Sequence, residues 1–182
     1  MSRFPQLSFE VNWRPFELNP HEKGGTPKME ALNKKYGAQR VAAFLPHINK
    51  AFANLGIPFS YGGVTVNTFN SHRLAAWALT KGREKQDAVM EELFKDYFCD
   101  EKTISDGGVL AAAAARAGLD AQEARAMLED PSAFKEEVEK QKRQFGRQVS
   151  GVPFFIINGE EGLSGAQPPQ VFEQLFAEIQ AQ

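Results

Sequence analysis

One thiol, Cys99, and three imidazoles, His21, His47 and His72, are the nucleophile and general-base candidates in these 182 residues. A lone thiol rules out an intrachain disulfide and any zinc site of paired thiolates, and the histidines have no metal-ligand spacing, so no metal is expected. Cys99 follows an apolar stripe ending at Phe98, and its nearest basic neighbour is Lys102. With no closer cation to activate it, it reads as structural. His72 follows a helix start, where the positive end of the helix dipole favours the neutral ring. Two readings of it stay open: contact with a ligand, or a partly exposed ring bonded to its own loop. Asn67 shares that neighbourhood, while Asn70 fits better as the helix cap.

Main-chain chemistry is the second possibility, and it centres on Ser150-Gly151-Val152-Pro153 before Phe154-Phe155-Ile156-Ile157-Asn158-Gly159. The short β-branched and aromatic run predicts a buried strand. Pro153 cannot donate to a sheet, so it belongs at the bend before that strand, with a cis Val152–Pro153 peptide expected. Main-chain groups of Val152 would then face outward and could bind an extended peptide or a thiol ligand. Gln167, ahead of Pro168-Pro169, stands where a helix N-terminus could take an anion such as a glutathione carboxylate. Phe16 could line a groove for an apolar substrate, as could Trp13, although Trp13 fits core packing better.

The elements that would position these residues follow from periodicity. Leu7 to Arg14 alternates as a strand with Leu7, Phe9, Val11 and Trp13 on one face. Lys28 to Tyr36 reads as a short helix. Ala38 to Leu55 reads as a longer one that Pro46 kinks or splits. Helices follow from Asn70 to Gly82, from about Lys85 to Phe98, and through the alanine-rich Val109 to Ala117. Another starts at Asp120 with Glu123 as a capping-box pair, and the last begins at Asp130-Pro131-Ser132 with a stripe of Phe134, Val138, Phe145 and Val149. After Asn158-Gly159 come a short strand, Leu163 to Ala166, and a final helix to about Ile179. Three core strands are expected.

Composition narrows the partners. Hydrophobic residues make up 42% and charged residues 24%, and the net charge is -2. These values suit an ordinary globular chain and give no electrostatic reason for nucleic acid or anionic membrane as partner. No apolar run approaches the ~20 residues of a membrane span. The N-terminus has no apolar signal segment, and the chain has no Asn-x-Ser/Thr acceptor. A cytoplasmic protein is expected. Ala111 to Leu128 has the outline of a helix-turn-helix, but its second helix sets Asp120, Glu123, Glu129 and Asp130 against Arg125 alone, which repels phosphate.

Four segments in order carry a resemblance: Val11-Asn12-Trp13-Arg14-Pro15-Phe16-Glu17-Leu18-Asn19-Pro20, Asn67-Thr68-Phe69-Asn70-Ser71-His72-Arg73, Gly151-Val152-Pro153-Phe154-Phe155, and Gly165-Ala166-Gln167-Pro168-Pro169. From about Arg3 onward the chain resembles the thioredoxin-like DsbA family, in its FrnE-like and 2-hydroxychromene-2-carboxylate isomerase-like branch. The resemblance implies an α/β thioredoxin fold with a helical insertion. Residues 1–26 and 147–182 would form the thioredoxin part, and 27–146 the insert. It also implies a first strand, a helix and a Cys-x-x-Cys pair that this sequence does not contain. Two inner sheet edges would be left unpaired, inviting self-association, so a fragment is expected.

In function, the resemblance implies thiol–disulfide exchange on peptide or other disulfide substrates, with this chain inactive as it stands. A glutathione-dependent isomerase or transferase, with serine at the nucleophile position, is the alternative within the superfamily. A redox-dead module that holds peptides is the non-enzymatic one.

Overall fold

The computed structural model describes residues 3–181 and sets a run of helices between an extended N-terminal arm and a C-terminal hairpin with its own helix. The helices are α1 Lys28–Tyr36, α2 Ala38–Asn54, α3 Phe69–Thr80, α4 Arg83–Phe98, α5 Gly107–Arg116, α6 Ala121–Glu129 and α7 Lys135–Phe145. Then come β1 Phe154–Ile157, β2 Glu161–Ser164 and α8 Pro169–Gln180.

The core lies among α3 to α6. Leu74 and Trp77 meet Val89 and Leu93, and α5 presses Leu110, Ala111, Ala113 and Ala114 against them, with Ala124 and Met127 closing the far side. Alanine suits α5 twice over, because it favours helix and lets neighbouring backbones come close. Asp106 caps α5 by accepting from Val109 N–H, and Asp120 caps α6 by accepting from Gln122 and Glu123 N–H. Only half of the expected capping box forms: the Glu123 carboxylate reaches Lys81 instead.

Several helix expectations change. Helix α2 runs unbroken through Pro46. Helix α3 starts at Phe69, because Asn67 Oδ1 accepts the Phe69 N–H at 3.0 Å, while the Asn70 carboxamide turns to Arg73. Asn67, not Asn70, therefore supplies the side-chain oxygen at this helix start. Helix α7 begins at Lys135, later than expected, after Phe134 takes a left-handed φ of 57°. Val149 lies beyond the helix in extended backbone, so the apolar stripe ends at Phe145.

The arm departs furthest from expectation. Leu7 to Arg14 forms no strand, and the sheet among the described residues has two strands rather than three. A strand exists through its ladder, and among the described residues no other backbone pairs with this segment to make one. Side chains do the holding instead. The Gln86 carboxamide accepts from Trp13 N–H at 3.0 Å and donates to Trp13 C=O at 3.2 Å, occupying both groups as a neighbouring strand would. Trp13 packs edge-on against Phe94 and donates Nε1–H to Asp87, while Phe9 packs edge-on against Phe176 of α8. The alternating face is thereby divided between two helices, and Val11 is left exposed.

Gln86 is buried, so its replacement by leucine leaves the Trp13 backbone groups unpaired. Gln86→Leu is expected to cost about 2 kcal/mol in urea unfolding and to remove hydrogen-exchange protection at the Trp13 amide. Unchanged protection there would show that something other than Gln86 fixes the arm.

Candidate functional site

The proline loop enters the hairpin from extended backbone at Val149. The Val152–Pro153 peptide is cis. Strands β1 and β2 pair antiparallel, with Phe154 opposite Ser164 and Ile157 opposite Glu161. Asn158 and Gly159 turn the hairpin with φ of 53° and 81°, a region those two residues adopt at low cost. Gly165 N–H donates to Pro153 C=O at 2.9 Å and extends the ladder by one rung. The alternation of an antiparallel pair then turns the main-chain groups of Phe155 and Ile157 toward β2 and those of Phe154 and Ile156 to the open edge. Val152 is 46% exposed, and no described residue bonds its N–H or C=O. Contrary to the buried strand expected here, Phe155 and Ile156 are exposed as well, because among the described residues only Phe172 of α8, edge-on to Phe155, gives this strand an aromatic contact.

Gln167 sits beside this hairpin but is already engaged, its Nε2–H donating to Ser164 C=O at 2.7 Å. The start of α8 is a poor anion seat. Pro168 and Pro169 carry no N–H, and Val171 N–H is bonded to Pro168 C=O.

A second group forms where the arm crosses the start of α3. The His72 ring has Nε2 3.3 Å from Thr68 Oγ1 and is hydrogen-bonded to the Phe16 main chain. Beside it Glu17, almost fully buried, accepts from Lys142 of α7 at 2.5 Å. Burial pushes the His72 pKa down to about 4, against the opposing pull of Glu17 and the Phe16 hydrogen bond. The imidazole is therefore neutral near pH 7. A cavity of about 20 Å³, room for one water, lies among Trp13, His72, Gln86 and Gln141. Asn67 joins the same group as a tie: besides starting α3, its Nδ2–H donates to Glu22 C=O at 3.3 Å.

Phe16, Asn67 and His72 thus come together on one side, and Val152, Pro153 and Gln167 on the other. No hydrogen bond or ion pair among the described residues joins the two groups. The sequence reading missed Glu17, Lys142, Arg73 and Gln86. The motif around Arg73 pointed to that region, but nothing local marks an arginine that is buried. Cys99 is half-buried at the end of α4 and belongs to neither group.

Comparison with known proteins agrees with this architecture. No curated protein matches the chain significantly. Among solved structures, a probable DsbA oxidoreductase from Streptomyces coelicolor is 32% identical, with a TM-score of 0.82 over 91% of this chain and 73% of that one. Residues 2–177 match the DSBA-like thioredoxin domain. A proline loop leading into strand, hairpin, strand and helix, behind a long helical block, is matched in sequence over nearly the whole chain. This chain belongs to the DsbA-like thioredoxin family, which is related to thiol–disulfide oxidoreductases.

Proposed function

We propose that this chain provides the substrate-holding surface of a FrnE-like thiol–disulfide oxidoreductase and performs no exchange by itself. The observation that carries this reading is the unpartnered main chain of Val152, next to the open edge of β1, in a family member with a single thiol. An extended segment of a disulfide-bearing polypeptide would bond to Val152 and lie along the edge. Exchange itself requires a thiolate to attack one sulfur of the substrate disulfide, releasing the other sulfur as thiolate and leaving a mixed disulfide. A second thiol must then displace the substrate and close a new disulfide. Cys99 has no second thiol. Glutathione-dependent isomerisation has less support, because the start of α8 offers few free donors for its carboxylates.

The test is reduction of a disulfide protein substrate by the purified chain, beside Cys99→Ala and a form bearing an N-terminal strand with a Cys-x-x-Cys pair. No turnover is expected from the first two, and turnover from the third. In parallel, an extended peptide should shift the Val152 amide resonance. Turnover by the chain as given, abolished in Cys99→Ala, would overturn the assignment. A peptide that leaves Val152 unmoved would remove the holding role.

A further inference from the structure

We infer that the outer face of the α1–α2 hairpin is a docking surface for an acidic amphipathic segment of another protein. Among the described helices and strands, the backbones of α1 and α2 come close only to each other, turning at Gly37 with φ of 83°. Among the described residues, side-chain and backbone ties join the pair to the rest of the fold. Buried Lys28 donates to Tyr97 C=O and lies 3.7 Å from the centre of the Tyr97 ring. Pro27 bridges Val64. Phe52 stacks on Phe59 at 4.2 Å, and Phe59 continues to Phe98. Of these contacts only the Phe52 stack involves α2, and the α2 flank that carries Arg40, Ala43, Phe44 and His47 takes part in none of them.

That flank forms a shallow groove of about 480 Å³ lined by Tyr36, Arg40, Ala43, Phe44 and His47. Arg40, Ala43, Phe44 and His47 fall on one face of α2 by their three- and four-residue spacing. Tyr36, 45% exposed, meets Phe44 edge-on to form an aromatic wall. An anchor that is aromatic or branched aliphatic would bury against that wall.

Charge selects the kind of partner. Residues 28–54 carry Lys28, Lys34, Lys35, Arg40 and Lys50 against Glu30 alone, a local charge of +4 in a chain of net charge -2. The remainder of the chain is therefore acidic overall. Among the described residues, Lys34, Lys35, Arg40 and Lys50 meet no carboxylate. Lys35 lies 5.3 Å from the centre of the Tyr36 ring and so borders the groove. A second copy docking through the same face would set Arg40 and Lys35 against themselves. Nucleic acid would meet the acidic remainder of the molecule. A polypeptide with carboxylates flanking an apolar anchor satisfies both the aromatic wall and the free cations.

The probe is a short fluorescein-labelled helical peptide with leucine and phenylalanine on one face and glutamate on the other, followed by fluorescence anisotropy. The same peptide with lysine for glutamate and a single-stranded oligonucleotide serve as comparisons. Binding is expected for the acidic peptide alone, weakening with salt, and about tenfold weaker in Arg40→Glu and in Tyr36→Ser. Both positions are exposed, so these variants keep the fold, as circular dichroism would verify. Absence of binding, equal binding of the lysine peptide, tighter binding of the oligonucleotide, or indifference to Arg40→Glu would each overturn the assignment. So would self-association in sedimentation that Tyr36→Ser abolishes. None of these results depends on the proline loop or on thiol chemistry.

Discussion

Replacing Arg73 with methionine is expected to lower the unfolding free energy by about 4 kcal/mol. The guanidinium sits on α3 with 2% of the residue exposed. It donates to Ala133 C=O at 2.7 Å, Met127 C=O at 3.0 Å, Leu128 C=O at 3.4 Å and Asn70 Oδ1 at 2.9 Å, and also to Asp130 C=O. Helix α6 has no basic residue in its last turn. Arg73 therefore supplies, from another helix, the positive charge and donors that the C-terminal carbonyls of α6 need. Burial lowers its pKa, and the Asp130 carboxylate counters that pull. Methionine would fill part of the volume but leave several buried carbonyls without partners. Arg73→Lys should recover little, because one ammonium cannot span acceptors that a planar fork reaches together. Urea unfolding of the three proteins is the measurement. A loss below about 1 kcal/mol in Arg73→Met would show that water or local rearrangement satisfies those carbonyls.

Acidification should destabilise the fold through His72, by at most about 3 kcal/mol. The unfolded imidazole takes up its proton near 6.5, whereas the folded one does so at about 4. Between those values the unfolded chain binds more protons, so stability falls as the pH falls. The contribution is complete above 6.5 and fully lost below about 4. Charged groups facing the ring are Glu17 on the arm and Lys142 on α7, and their attraction keeps Glu17 paired while the imidazole stays neutral. The carboxylates of Asp100, Asp120 and Asp130 also have lowered pKa values, for Asp100 chiefly through Lys102 and for the other two through hydrogen bonds at turns and caps. Their contribution is present above 3.8 and declines as the pH falls below that value, under the main His72 window. Urea unfolding of the native chain and of His72→Gln across pH 6.5 to 4 separates the two. The variant should give a flatter profile in that range, and parallel profiles would place the titration elsewhere.

Much of the fold was legible where one residue acts on its near neighbours along the chain. Asp120 had hydrogen-bonding reach to the amides two and three residues on, and it caps α6. Gly37 and Gly118 end helical stretches with φ of 83° and 73°. The Gly-Val-Pro lead-in and the Asn-Gly turn marked the C-terminal hairpin and its cis peptide, although β2 lies at Glu161–Ser164 rather than at Leu163 to Ala166. The four ordered motifs were sufficient for the family.

Residues far apart in the chain decided the rest. Leu7 to Arg14 has a strand's alternation, yet alternation specifies only which side chains share a face, and a strand also requires backbone alongside. Here Gln86, 73 residues away, supplies that partner from a helix. Glu17 finds Lys142 across 125 residues, and Arg73 finds Ala133 across 60. Local pattern records where apolar surface must be buried, because burial is nearly indifferent to the identity of the neighbour. A buried polar group is selective, since it needs a donor or acceptor at hydrogen-bond distance and in the right direction. Only the assembled helices bring those partners to His72, Arg73 and Gln86.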